Sequence, residues 1–85
     1  MLPPCKAAVA GKPDVWAGEC GGVIDALIWI APALEESNRF CPPLMPSQQS
    51  QRVVVLYMER HPEQLHRDFK ALALRALQEA WPCPK

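Results

Sequence analysis

Val53-Val54-Val55-Leu56-Tyr57-Met58 is the stretch on which the fold class of this chain turns. Six consecutive apolar residues, three of them valines, read locally as a buried strand, the setting that β-branched side chains favour. No second segment of this kind is present for it to pair with, and a lone buried strand leaves its backbone N–H and C=O groups unsatisfied. The run is therefore assigned to a helix. Ser47 is its expected N-cap, and His61-Pro62 its end, because the residue before a proline is pushed out of the helical region. Pro62 is itself well placed to begin the next helix.

Downstream, Leu65, Phe69, Leu72, Ala76 and Ala80 recur at helical spacing, Leu77 and Trp81 widen the stripe, and Arg67, Lys70, Arg75 and Glu79 face outward. Pro82 closes this fourth helix. Upstream, residues 31–46 hold Pro32, Asn38, Pro42, Pro43 and Pro46, too many breakers for a regular helix, so this is the longest connection. Before it, Trp16, Cys20, Val23, Leu27, Ala31 and Leu34 repeat every three or four residues and predict a second helix over residues 15–31. On another side of that helix Gly18, Gly22 and Ala26 lie four apart. Such a groove admits a neighbouring helix closely, offsetting the roughly 1 kcal/mol helix penalty of each glycine. A short first helix spans residues 2–10, with Pro3 and Pro4 in its first turn and Gly11 at its stop, and Lys12, Pro13 and Asp14 turn the chain. The expectation is an all-α fold, a small four-helix domain with two disulfides, occupying residues 1–85 as one domain.

Cross-links matter at this size, since 85 residues lie close to the lower limit of what burial alone stabilises. Cys5, Cys20, Cys41 and Cys83 are an even set without a C-x-x-C pair, which suits a disulfide framework better than a zinc or thioredoxin-like site. If the first two helices form an antiparallel hairpin, Cys5 approaches Cys20. The same reasoning joins Cys41, before the third helix, to Cys83, after the fourth. Joining Cys20 to Cys41 ranks second, because the loop would have to run back roughly 15 to 20 Å along the second helix. Closing loops of these lengths contributes on the order of 3 kcal/mol for the first bridge and 4 kcal/mol for the second.

Nine Lys and Arg balance nine Asp and Glu, so no long-range field draws the protein to phosphate backbones or anionic lipid. No nucleic-acid partner is expected. The most apolar stretch, residues 23–34, is interrupted by Asp25 and Pro32 and is shorter than the roughly 20 residues of a membrane span, so no membrane insertion is expected either. Disulfides need an oxidising compartment, whereas Met1-Leu2-Pro3-Pro4-Cys5 has neither a basic start nor an apolar signal region. A signal segment is expected to have been removed, and the location to be periplasmic or secreted.

The sharpest enzymatic reading pairs Cys41 or Cys20 as nucleophile with His61 or His66 as base. Neither histidine has a cysteine near it in sequence, and an even cysteine count favours bridges. A metal held by His61 and His66 would need further ligands, so no metal and no cofactor are expected; the plainer reading has His61 capping the third helix and His66 packing near the start of the fourth. Asp25 and Trp29, one turn apart, are either a polar anchor beside an aromatic contact or, more commonly, a buried hydrogen bond beside the core. Glu35, Glu36, Asn38 and Arg39 cluster in the long loop, where recognition residues are carried on a fixed scaffold.

Taken in order, Cys20-Gly21-Gly22-Val23-Ile24-Asp25-Ala26-Leu27, Phe40-Cys41-Pro42-Pro43, the valine-rich run, His61-Pro62, Leu65-His66, the segment from Ala71 to Leu77, and Trp81-Pro82-Cys83 resemble the Rap/Tai immunity-protein family of bacterial type VI secretion. The resemblance covers nearly the whole chain. It implies a periplasmic, mainly helical protein without catalytic residues that binds a secreted peptidoglycan amidase effector and blocks its cleft with a loop. Candidate contacts under this reading are Glu35, Glu36, Asn38 and Arg39, with His61, Glu63 and Gln64 of the next loop as the alternative. A small periplasmic stress protein of the HdeA type is the runner-up, with a similar helical, disulfide-linked build. Apolar positions in excess of one core face hint at a homodimer.

Overall fold

The computed structural model describes residues 2–12 and 15–84. Four α-helices follow in order: α1 (Leu2–Val9), α2 (Val15–Ile30), α3 (Ser47–Arg60) and α4 (Phe69–Ala80). Short 3-10 turns occupy Ala31–Ala33, Glu36–Asn38 and Pro62–Gln64, and no strand occurs among the described residues. Pro13 and Asp14, expected in the first turn, lie outside the described residues. Gly11 takes φ +73°, the left-handed value that glycine adopts freely, and so ends α1 as expected.

α3 is the centre of the packing, touching α1, α2 and α4. This accounts for its long apolar run. Val54 and Met58 are fully buried, and Val55 and Tyr57 nearly so, because this part of the helix meets its neighbours on more than one side. Tertiary burial thus overrides the strand preference of the valines. The start of α3 differs from expectation by one position: Pro46 is the N-cap and makes no side-chain cap bond, while Ser47 is the first helical residue, its carbonyl accepting from Ser50 Oγ at 2.8 Å.

α4 begins later than its apolar stripe implies. Asp68 is the cap, with Oδ1 accepting from the Lys70 N–H at 2.8 Å, and this short acidic side chain satisfies one of the four free amides of the first turn. Pro62 therefore opens a 3-10 turn and not the helix itself; Leu65 is 41% exposed and His66 lies exposed in the connection instead of packing at a helix start. Leu72, Ala73, Ala76 and Leu77 form the buried face, Ala80 is exposed, and Trp81 is half-buried at the C-cap.

The face that α2 turns inward is rotated from the expected one. Ala17, Cys20, Gly21, Ile24 and, beyond its last turn, Ala31 are buried, whereas Trp16 is 59% exposed. Gly18, Gly22 and Ala26 face outward, so among the described residues no helix fills the expected groove. The close approach falls at Gly21, where an added Cβ would lie 2.8 Å from Gln51 Nε2 on α3. Asp25 and Trp29 are both exposed, which removes the buried hydrogen-bond reading. At Gly18 and Gly22 an added Cβ would meet nothing within 4 Å. Gly18→Ala and Gly22→Ala are therefore expected each to stabilise the isolated protein by about 0.5 to 1 kcal/mol in urea denaturation, with Gly21→Ala gaining less because the buried Gln51 amide has to move.

Residues Val15–Ala33, with mean hydropathy 1.2, are long and apolar enough to cross a membrane by length and composition alone, a longer stretch than residues 23–34. Glu19 and Asp25 interrupt them, Cys20 fastens them to α1, and α2 packs on α1 and α3 through one face, with 28% of the stretch buried.

Both expected disulfides are present. Cys5 and Cys20, with Cα atoms 5.4 Å apart, join α1 to α2 inside the core, and both are fully buried. Cys41 and Cys83, 4.9 Å apart, join the long loop to the segment after α4. Every cysteine is thereby bridged, which removes the Cys-His nucleophile reading.

Candidate partner-binding surface

The long loop is irregular yet anchored at several points. Phe40 is 1% exposed and sits in the core cluster. Next to it the Cys41 N–H donates to the Trp81 carbonyl at 2.9 Å, alongside the Cys41–Cys83 bridge. At the other end Ala31 is buried, and the Leu34 N–H donates to the Ala31 carbonyl at 3.2 Å. What projects between these anchors is the 3-10 turn with Glu35, Glu36, Asn38 and Arg39, all exposed.

Arg39 is engaged within the loop. Its Nε and Nη2 donate to the Leu34 carbonyl at 3.2 and 3.0 Å, drawing residues 34–39 into a closed arch. The Asn38 N–H donates to the Glu35 carbonyl at 2.8 Å, and Gln78 Nε2 reaches from α4 to the Ser37 carbonyl at 3.3 Å. Glu35, Glu36 and Asn38 keep exposed side chains, while Arg39 and Gln78 hold the arch in shape.

The second segment is organised around Tyr57. His61 Nδ1 lies 2.9 Å from the Tyr57 carbonyl, which the ring satisfies when its proton is on Nδ1, and the two rings stack with centroids 4.2 Å apart. The Tyr57 hydroxyl donates to Gln64 Oε1 at 3.3 Å. His61 is thus a C-cap residue, as read from sequence, and is half-buried; Gln64 is half-buried as well, and only Glu63 is freely exposed among the three. Tyr57 itself was missed as the residue that ties His61 to Gln64. Its position one turn before His61, near a helix end, was the available signal. A shallow groove of about 230 Å³ runs beside it, lined by residues of α3 and α4 including Val53, Tyr57, His61 and Ala76.

No cluster of three or more His, Cys, Asp or Glu side chains able to hold a metal ion occurs among the described residues. The exposed groups of this face are carboxylates and amides on an anchored loop and aromatic and aliphatic side chains on α2.

These features define a small disulfide-linked four-helix domain that presents rigid loops from a thin scaffold, 16 Å across in its shortest dimension. The chain belongs to the Rap1a immunity protein family, whose model matches residues 2–83, in keeping with the resemblance seen in the sequence. No curated protein and no solved structure matches it.

Proposed function

We propose that this protein is a periplasmic immunity protein that binds and inhibits a peptidoglycan amidase delivered by type VI secretion, acting stoichiometrically and not as an enzyme. Membership of the immunity-protein family over residues 2–83 is the observation that carries the reading. Two disulfides, one of them wholly buried, support an oxidising compartment such as the periplasm. Contact runs through the arch, with Glu35, Glu36 and Asn38 meeting the amidase and Arg39 fixing the backbone that carries them. Glu63, beside His61 and Gln64, is the alternative contact. An anchored loop loses little conformational freedom on docking, so its binding energy is not consumed by ordering.

Titration of the oxidised protein against the amidase encoded beside it, with peptidoglycan cleavage as readout, tests this. Inhibition is expected to saturate at a fixed molar ratio. Absence of binding at micromolar concentration, together with loosening and client binding in acid, would transfer the protein to the HdeA-type stress-protein reading.

A further inference from the structure

The two bridges differ in what surrounds them. Cys5 and Cys20 are 0% exposed and belong to the core cluster, whereas Cys41 and Cys83 lie outside that cluster, Cys41 exposed and Cys83 half-buried. Cys41 also lines an open groove of about 470 Å³, formed with Ile28, Pro32, Arg39, Pro43 and Leu44 among others. The charged residue of that lining is a cation, Arg39, so an incoming thiolate reaches Cys41 without meeting a carboxylate there. Thiol–disulfide exchange needs such access, and the buried pair denies it.

The exposed bridge also stands where the long loop is held. It ties the residue after Phe40 to the segment behind α4, where residues 82–84 have no regular secondary structure. The backbone hydrogen bond from Cys41 to Trp81 joins the same two segments. Opening the bridge leaves that bond and the Phe40 ring to hold the end of the loop. The Cys5–Cys20 bridge and the packing of α1, α2 and α4 on α3 are untouched. A loop released at one anchor must be ordered again when it docks, which costs affinity.

We infer that Cys41–Cys83 is a redox-sensitive clasp: closed, it sets the loop of residues 34–41 for its partner, and opened by a protein dithiol of the C-x-x-C type, it frees the loop while the helical core stays folded. The effect on binding rests on the immunity reading; the release of the loop does not. A thiolate of the dithiol attacks Cys41 Sγ, the more exposed sulfur, and the Cys41–Cys83 bond breaks with its electron pair leaving on Cys83 Sγ, which takes up a proton. The second thiolate of the dithiol then attacks its neighbour's sulfur in the mixed disulfide, and Cys41 leaves as a thiolate. The clasp gains two electrons and the dithiol becomes a disulfide. An oxidised C-x-x-C pair runs the same steps in reverse and restores the loop.

The oxidised protein is incubated with reduced thioredoxin as the dithiol, and free thiols are alkylated. The product is followed by peptide mapping, circular dichroism, amide hydrogen exchange and calorimetric titration with the amidase encoded beside this protein. The expected product is alkylated at Cys41 and Cys83 only and keeps the helical circular dichroism of the oxidised form. Its Cys41 amide should exchange at least about tenfold faster with the Val54 amide unchanged, and its affinity should fall on the order of 10-fold. A Cys41→Ser/Cys83→Ser variant should reproduce this state without reductant or alkyl groups and be insensitive to thioredoxin. Failure of thioredoxin to open the bridge, alkylation of all four cysteines together, loss of helical structure on opening, or loop amides that exchange as in the oxidised form would each overturn the proposal. If the oxidised protein binds and both the opened protein and the serine variant bind as tightly, the clasp does not govern binding and the proposal fails while the immunity reading stands. If the oxidised protein itself does not bind, the immunity reading fails; released loop amides then still support the clasp, and unchanged ones overturn it.

Discussion

Replacing Cys5 and Cys20 together by alanine is expected to cost about 5 kcal/mol, more than removing the Cys41–Cys83 bridge, although loop length alone ranks the two the other way. The chain-entropy contribution grows with the closed loop, giving on the order of 3 kcal/mol for a separation of 15 and 4 kcal/mol for a separation of 42. Burial reverses the order. Cys5 and Cys20 are fully buried between α1 and α2, so their removal also leaves space where two sulfurs packed, whereas Cys41 is exposed and Cys83 only half-buried. A domain of this length has a net stability of about 4 to 13 kcal/mol, so the loss removes a large share of it and the double alanine variant should melt far below wild type. Urea denaturation of the two double variants checks the ranking. A milder experiment checks the same burial: low concentrations of a thiol reductant should open Cys41–Cys83 first, because the attacking thiolate must reach a sulfur, and peptide mapping should recover Cys5–Cys20 intact. Simultaneous opening, or a smaller loss for the buried pair, would contradict this account.

The parts of the fold that sequence made legible are those set by strong local signals joined to a global constraint. The run from Val53 to Met58 had two local readings, and the absence of a pairing partner decided between them, as the central position of α3 now explains. The disulfide pairing followed from helix order. The phase of α2 did not, because a helix with apolar residues on nearly every side offers several stripes of equal spacing. Cys20, Leu27 and Ala31 of the expected stripe do meet the core, but Trp16 outweighed the smaller Ala17 and Gly21, which are buried in its place. Glu19 and Asp25 held the correction: both must face water, and they flank Gly22, so the side bearing Gly18, Gly22 and Ala26 had to be the outer one. At the candidate surface, Glu35, Glu36, Asn38 and Glu63 are exposed as their composition implied, while Arg39, His61 and Gln64 bond to their own chain. Those bonds depend on where a backbone carbonyl or a hydroxyl ends up in space, which spacing does not encode. Nor does an apolar residue carry in sequence a mark of being left outside the core, as Trp29 and Leu44 are.

Phe40→Ala is the second substitution expected to have a large effect, costing about 3 to 5 kcal/mol. The phenyl ring is 1% exposed although it sits in an irregular loop, among the largest fully buried side chains of the protein. Loops that lack buried side chains open easily, and this one is kept closed by the ring together with the neighbouring Cys41 bridge and the Cys41-to-Trp81 backbone hydrogen bond. Removing the ring should therefore do two things: lower the denaturation midpoint, and release the backbone of residues 34–46 while α1, α2 and α3 stay packed. Amide hydrogen exchange separates these effects. Protection of the Cys41 amide should fall by more than that of amides at the middle of α3, such as Val54 and Val55, once global stability is matched by adding denaturant to wild type. The bridge should still form, because Cys41 and Cys83 are covalently joined whether or not the ring is present. Effector binding then reports on the rigidity of the loop itself, since Phe40 lies beneath the surface that Glu35, Glu36 and Asn38 expose. Affinity should fall at least tenfold, mainly through slower association as the loop must be ordered on docking. Equal loss of protection throughout the chain would instead make Phe40 a global core residue with no special hold on the loop.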